Sequence, residues 1–192
     1  MAEPHFRSPM LADSLSRLDH DRAAFLATFD ALTPAQRQFR PSDGGWTADE
    51  VAQHLVKAET GTLAILAKQV AAGDARRAVP EASEERLAAV EAFLRSDGLT
   101  TMPASAEPFI RPDSPPGAGW RDRLAAFESE WHHLAEALPD ALADVPLMEH
   151  PRAGGLTAAG AARFMSAHLD HHRRQLERIQ AAPGYPASAP PG

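Results

Sequence analysis

Large apolar residues recur in this chain at spacings that only a helix can use. Trp120, Leu124, Phe127, Trp131, Leu134 and Leu138 step by four, three, four, three and four. Those steps return each side chain to one face of a 3.6-residue helix. Leu11, Leu15, Leu18, Phe25, Phe29 and Leu32 do the same with steps of three, four and seven. A third line runs through Val51, His54, Leu55, Ala58, Thr62, Ile65 and Leu66, and a fourth through Phe164, Met165, Leu169, Leu176 and Ile179. Leu87, Val90 and Leu94 mark a weaker helix within residues 80–95. No segment alternates polar and apolar residues as a half-buried strand does. The sequence therefore predicts an all-α fold: a four-helix bundle with long connectors and one extra short helix.

Start and stop signals bound these helices. Ser8-Pro9 opens the first, and Thr33-Pro34 ends it and begins a short helical turn. Thr47 and Glu50 form a capping box at the start of the second, and Gly73 stops it. The third runs from about Gly119 to Leu138. Thr157 caps the last, with Leu156 and Ala161 placed for a hydrophobic staple. The connectors 33–46, 73–119 and 139–156 are long for a bundle. Pro103, Pro108, Pro112, Pro115 and Pro116 make 96–119 a loop, and at that length a functional or mobile one. Residues 1–182 read as one domain and 183–192, rich in proline and alanine, as a disordered tail.

Composition excludes several roles. The 192 residues suffice for one domain with a real core. A net charge of -7 with acids and bases interspersed offers no face for nucleic acid. No run approaches the roughly 18–20 apolar residues needed to span a bilayer. The opening MAEPHFRSPM lacks the charged start and apolar core of a secretory signal, so the expectation is a cytoplasmic protein with no membrane partner. Cysteine is absent, which excludes disulfides, thiolate ligands and a cysteine nucleophile. Any thiol chemistry would need a thiol brought by a cosubstrate.

Three of the nine histidines fall between Ala167 and Leu176, in a run from Ala161 to Ala182 that contains no glycine or proline. His168 and His172, four apart, stack on one helical face, while His171 lies about 60° to the other side of His168. Apolar neighbours put the pair on or beside the buried stripe. Neutral imidazole suits zinc, nickel or iron. Two histidines on one helix and a third from a facing helix give three nitrogen ligands and leave positions open, the pattern of a catalytic rather than a structural metal. His54 is the best third ligand, since it combines an inner helical position with apolar flanks. His132 and His133 fall on an outer face, and His20 lies off its helix's stripe. A surface pair alone would need no metal, so the third ligand carries the argument.

Several motifs occur in a familiar order. Arg40-Pro41 is followed by Gly45-Trp46-Thr47 and then by Glu50-Val51-Ala52-Gln53-His54-Leu55, with Glu59 behind. Glu149-His150-Pro151 and Gly155-Leu156-Thr157 precede the last helix, which carries His168-x-x-x-His172-Arg173-x-Gln175-Leu176. In this the chain resembles the DinB superfamily, helical bundles that include the YfiT-like metal-dependent enzymes. Arg174 departs from the pattern, which often has glycine there. The resemblance implies a divalent-metal site on His54, His168 and His172, the same three that helical geometry selects. It also implies a metal-dependent enzyme acting on a small-molecule substrate, such as a transferase using a low-molecular-weight thiol, and it implies a homodimer. Two further readings stand beside it. One is a metal-dependent hydrolase with Glu59 or Asp170 as proton acceptor; the other is a non-catalytic, metal-binding stress-response bundle. Glu59 and Asp170 are also the sequence's candidates to orient the ligating rings.

Overall fold

The computed structural model describes residues 8–96, 111–113 and 118–187. Six α-helices lie among them: α1 (Pro9–Asp30), α2 (Pro34–Arg37), α3 (Ala48–Ala72), α4 (Glu84–Leu94), α5 (Trp120–Ala137) and α6 (Ala158–Gln180). The caps are those the sequence signals. The Ser8 hydroxyl accepts from the Leu11 amide, and Thr157 accepts from the Gly160 amide. At α3 the box is reciprocal: Thr47 Oγ1 accepts from the Glu50 amide at 3.2 Å, and Glu50 Oε2 accepts from the Thr47 amide at 2.9 Å.

α1, α3, α5 and α6 form the bundle. α1 lies along α6 and also meets α5, while α3 closes the ring against α5 and α6; α4 packs on the outside of α6. Leu15, Leu18, Phe25, Leu55, Leu66, Leu124, Phe127, Trp131 and Met165 fill the centre. A charged pair, Arg22 and Glu59, sits inside this core. The seven-residue step between Leu18 and Phe25 is occupied by Arg22, which is 1% exposed. Its guanidinium meets both oxygens of Glu59 at 2.7 and 2.9 Å, and Trp131 Nε1 donates to the same carboxylate at 2.7 Å. The inner line of α3 thus passes through Glu59 rather than through Ile65, which is 46% exposed. A carboxylate facing a buried guanidinium can stand where periodicity alone places an aliphatic residue.

One expectation is corrected. Residues 139–156 contain a two-stranded antiparallel hairpin, β1 (Met148–His150) and β2 (Gly154–Leu156), with His150 opposite Gly154. Each strand has three residues, too short for an alternating pattern to register. Two glycines make the hairpin fit. Gly154 has φ +77°, and a Cβ on Gly155 would lie 1.9 Å from the carbonyl oxygen of Pro80. The segment from Pro80 to Ala82 therefore lies directly against β2, with a bridge between Ala82 and Gly154.

Part of the predicted tail is placed: Tyr185 sits edge-on to Phe39 at 5.4 Å, and Gln36 Nε2 donates to the Pro186 carbonyl at 3.0 Å. Residues 188–192 and most of the proline-rich loop 96–119 lie outside the described residues. Among the described residues, no helix is long and apolar enough to cross a membrane.

Candidate metal centre

His54 stands about two turns into α3, and the connector before it is tied down from both ends. Arg40 donates to Glu50 Oε1 at 2.5 Å and to the Gly45 carbonyl at 3.0 Å, and the Gly45 amide donates to Asp43 Oδ1. This brings the Trp46 ring over His54, with centroids 4.9 Å apart. Facing it on α6 are His168 and His172. All three histidines are buried.

Their Nε2 atoms converge. His168 Nε2 lies 3.1 Å from that of His54 and 2.9 Å from that of His172. The three ring planes are tilted by 63–79° to one another, fanned about a shared centre. His172 Nδ1 is 2.6 Å from Gln175 Oε1. An amide oxygen only accepts, so the proton is on Nδ1 and the His172 Nε2 lone pair points at the centre. Burial, reinforced by the neighbouring histidines, holds His168 and His172 well below the ordinary histidine range. Both are neutral near pH 7, the form that binds metal.

The donor set fits a divalent cation. A single proton on His168 Nε2 cannot lie along the lines to both neighbours. A cation at the centre can face all three nitrogens at once, and the separations of 3.1 and 2.9 Å from His168 are close to the roughly 3–3.5 Å that ligand distances near 2.1 Å require. His54, His168 and His172 are the group among the described residues that could hold a metal in this way.

A family model described as the DinB superfamily matches residues 17–176. The chain belongs to the DinB superfamily. No curated protein and no solved structure matches it significantly.

Residues between and beside the ligands have structural duties here. His171, the less suited partner by helical angle, turns away from the centre and donates from Nδ1 to the Leu94 carbonyl at 3.1 Å. Arg174, where the superfamily pattern often has glycine, reaches the same helix end and donates to the Leu94 and Arg95 carbonyls. Together they cap α4 and dock it on the helix that carries two of the ligands. Asp170 is not available to the centre, because it pairs with Arg173 at 3.0 Å and with Arg95 and Arg174 at 3.4 Å. Glu59 is likewise committed to Arg22 and Trp131. The residue that orients a ligating ring is Gln175. Its spacing of three from His172 was a signal the sequence already contained. His20 and His133 are solvent-facing, as their helical positions predict, and His132 pairs with Asp19 on the surface.

A cleft of about 1530 Å³ opens onto the triad. Its walls come from α3, α4, α6 and the hairpin, and include Trp46, Ile65, Val90, Phe93 and Phe164. Arg86, Arg152 and Arg178 also line it. The hairpin contributes His150, whose ring lies 4.4 Å from that of Phe164; Phe164 in turn stacks on His168 at 5.5 Å. Burial and the nearby Arg152 push His150 down to about 4.

These neutral histidines make stability depend on pH. In the unfolded chain each titrates near its ordinary value of about 6.5. Below that pH the unfolded state binds protons that the native state refuses, so native stability falls as pH falls. For His150 the loss runs from about 6.5 down to about 4. Each such group contributes a slope of up to about 1.4 kcal/mol per pH unit. Urea unfolding of chelator-treated protein should show about 2–4 kcal/mol less stability at pH 5.5 than at pH 7.5. A flat profile across that interval would contradict the buried neutral state of these rings.

Proposed function

We propose that this chain is a metal-dependent transferase that joins a small external thiol to an electrophile at the His54–His168–His172 centre. The observation that carries this reading is a three-imidazole donor set at the base of a large open cleft. Three ligands leave coordination positions free, as catalytic sites do. A divalent cation there would act as a Lewis acid and lower the pKa of a thiol presented to it. The chain supplies the remainder: apolar walls that shed water around the reactants, Trp46 and Phe164 against two of the ligand rings, and Gln175 holding His172 in its ligating tautomer. The cleft exceeds the roughly 300–1,000 Å³ of a site for one small ligand, which suits a reaction with two substrates. The absence of cysteine accords with a thiol that comes from outside. The hydrolase reading is less well supported, because both carboxylates proposed as its base are engaged by arginines.

The test is metal analysis of untagged protein, followed by conjugation of 1-chloro-2,4-dinitrobenzene with cysteine, glutathione or coenzyme A. One equivalent of zinc, nickel or iron is expected, with thiol-dependent turnover that is lost on chelation and restored by the metal. Stoichiometric metal without turnover across thiols and electrophiles would favour the non-catalytic bundle.

A further inference from the structure

We propose that His150 is a fixed hydrogen-bond donor in the cleft, holding a carbonyl or carboxylate oxygen of the substrate through its Nε2–H. The proposal rests on the reading that substrate occupies the cleft beside the triad. His150 Nδ1 lies 3.1 Å from the Ala153 amide and 3.3 Å from the Arg152 amide. Amide nitrogens only donate, so Nδ1 must carry a lone pair and the proton of the neutral ring is on Nε2. The tautomer is thus imposed by the backbone of the turn. Pro151, which lacks an N–H, leaves the next two amides as the donors available to it.

The turn itself needs only an acceptor at this position. Asparagine supplies one and is common in such turns for that reason. Imidazole adds a second nitrogen on the far side of the ring. Among the described residues that nitrogen has no protein acceptor, and the ring forms part of the cleft wall. Around it Phe164 lies against the ring, Phe93 and Val90 also line the space, and the charge of Arg152 is nearby. That N–H borders the open cleft, where water is its acceptor until a ligand oxygen takes the water's place. Because burial keeps the ring neutral at pH 7, the donor is uncharged and always protonated on Nε2. One aromatic ring, Phe164, separates it from His168. A ligand whose oxygen meets His150 therefore lies in the same cleft that reaches the three histidines. The substrate class this selects is a small, mostly apolar electrophile carrying a carbonyl or carboxylate group.

The full chain, treated with chelator, tests this without turnover. Long-range ¹H–¹⁵N spectra should show His150 protonated on Nε2 at pH 7; a proton on Nδ1 overturns the proposal. ¹⁹F titrations with 4-fluorobenzamide, 4-fluorobenzoate and 4-fluorotoluene read the recognition. Wild-type protein should prefer the two oxygen-bearing probes. His150→Asn keeps the turn acceptor and removes the donor, and should weaken those two by about tenfold while changing 4-fluorotoluene by less than about twofold. His150→Gln, with an N–H near the Nε2 position, should recover part of the loss. The proposal is overturned if wild-type protein shows no preference, or if His150→Asn leaves all three affinities unchanged or lowers them equally. Should His150→Asn fail to melt cooperatively, the tautomer and the His150→Gln affinities decide. Metal affinity of His150→Asn should match wild type. If wild-type protein binds no metal, the transferase reading falls while the probe result stands by itself.

Discussion

Replacing Glu59 with leucine should lower the free energy of unfolding by about 3–5 kcal/mol, the usual penalty for stranding a buried charge. Arg22 and Glu59 are both essentially inaccessible to solvent, at 1% and 0% side-chain exposure. Without the carboxylate, the guanidinium keeps only the Leu124 carbonyl at 3.3 Å, and Trp131 Nε1 loses its acceptor. Neither group can reach water without opening the bundle. The Arg22→Met/Glu59→Leu double variant should recover most of the loss, because it removes the charge together with its partner. Chemical denaturation of the wild type, both single variants and the double variant closes the cycle. If Glu59→Leu alone unfolds within about 1 kcal/mol of wild type, water reaches the pair and the picture of a dry ion pair joining α1, α3 and α5 is wrong.

His172→Ala should abolish stoichiometric metal binding while leaving helicity and the melting profile nearly intact. The three Nε2 atoms converge on one point, so losing one leaves two imidazoles from different helices to hold the cation. Alanine is the best helix former, and His172 borders an open cleft, so α6 should survive the change. Gln175→Leu gives the graded counterpart. It removes the acceptor that orients His172 and should cost about 10–100-fold in metal affinity. His171→Ala serves as a control for histidine loss as such, since His171 faces α4 and should leave the metal stoichiometry unchanged. Competition titrations against a chromophoric chelator would measure all three variants. One tightly bound equivalent in His172→Ala would remove His172 from the ligand set.

Much of this molecule was written locally. Caps, stripes and the four-residue step from His168 to His172 depend on residues within one or two turns of each other. Any chain with those spacings makes those helices, whatever they later pack against. Gln175 belongs with them, because it meets His172 along one helix. The hairpin was not legible, since its two three-residue strands are held by Gly155 passing close to Pro80, some 75 residues earlier in the chain. Nor could the sequence tell an aliphatic gap-filler from a charge inside the bundle. Arg22 is a single polar interruption in an apolar line, and only its juxtaposition with Glu59 and Trp131 makes that burial tolerable. The long-range partners of Glu59 and Asp170 were hidden for the same reason: Arg22 pairs with Glu59 and Arg95 with Asp170 only because their helices pack together. His54 stands between the two cases. Its helical position was readable, but its 3.1 Å approach to His168 exists because α3 and α6 pack with those faces together. The sequence by itself determined the helices and which side chains share a face, because a helix is built from near neighbours. The tertiary structure alone decided which faces meet, because that follows from burying all the stripes at once. With it came the closed triad, the cleft, and the turn whose amides hold His150 Nδ1 at the cleft wall.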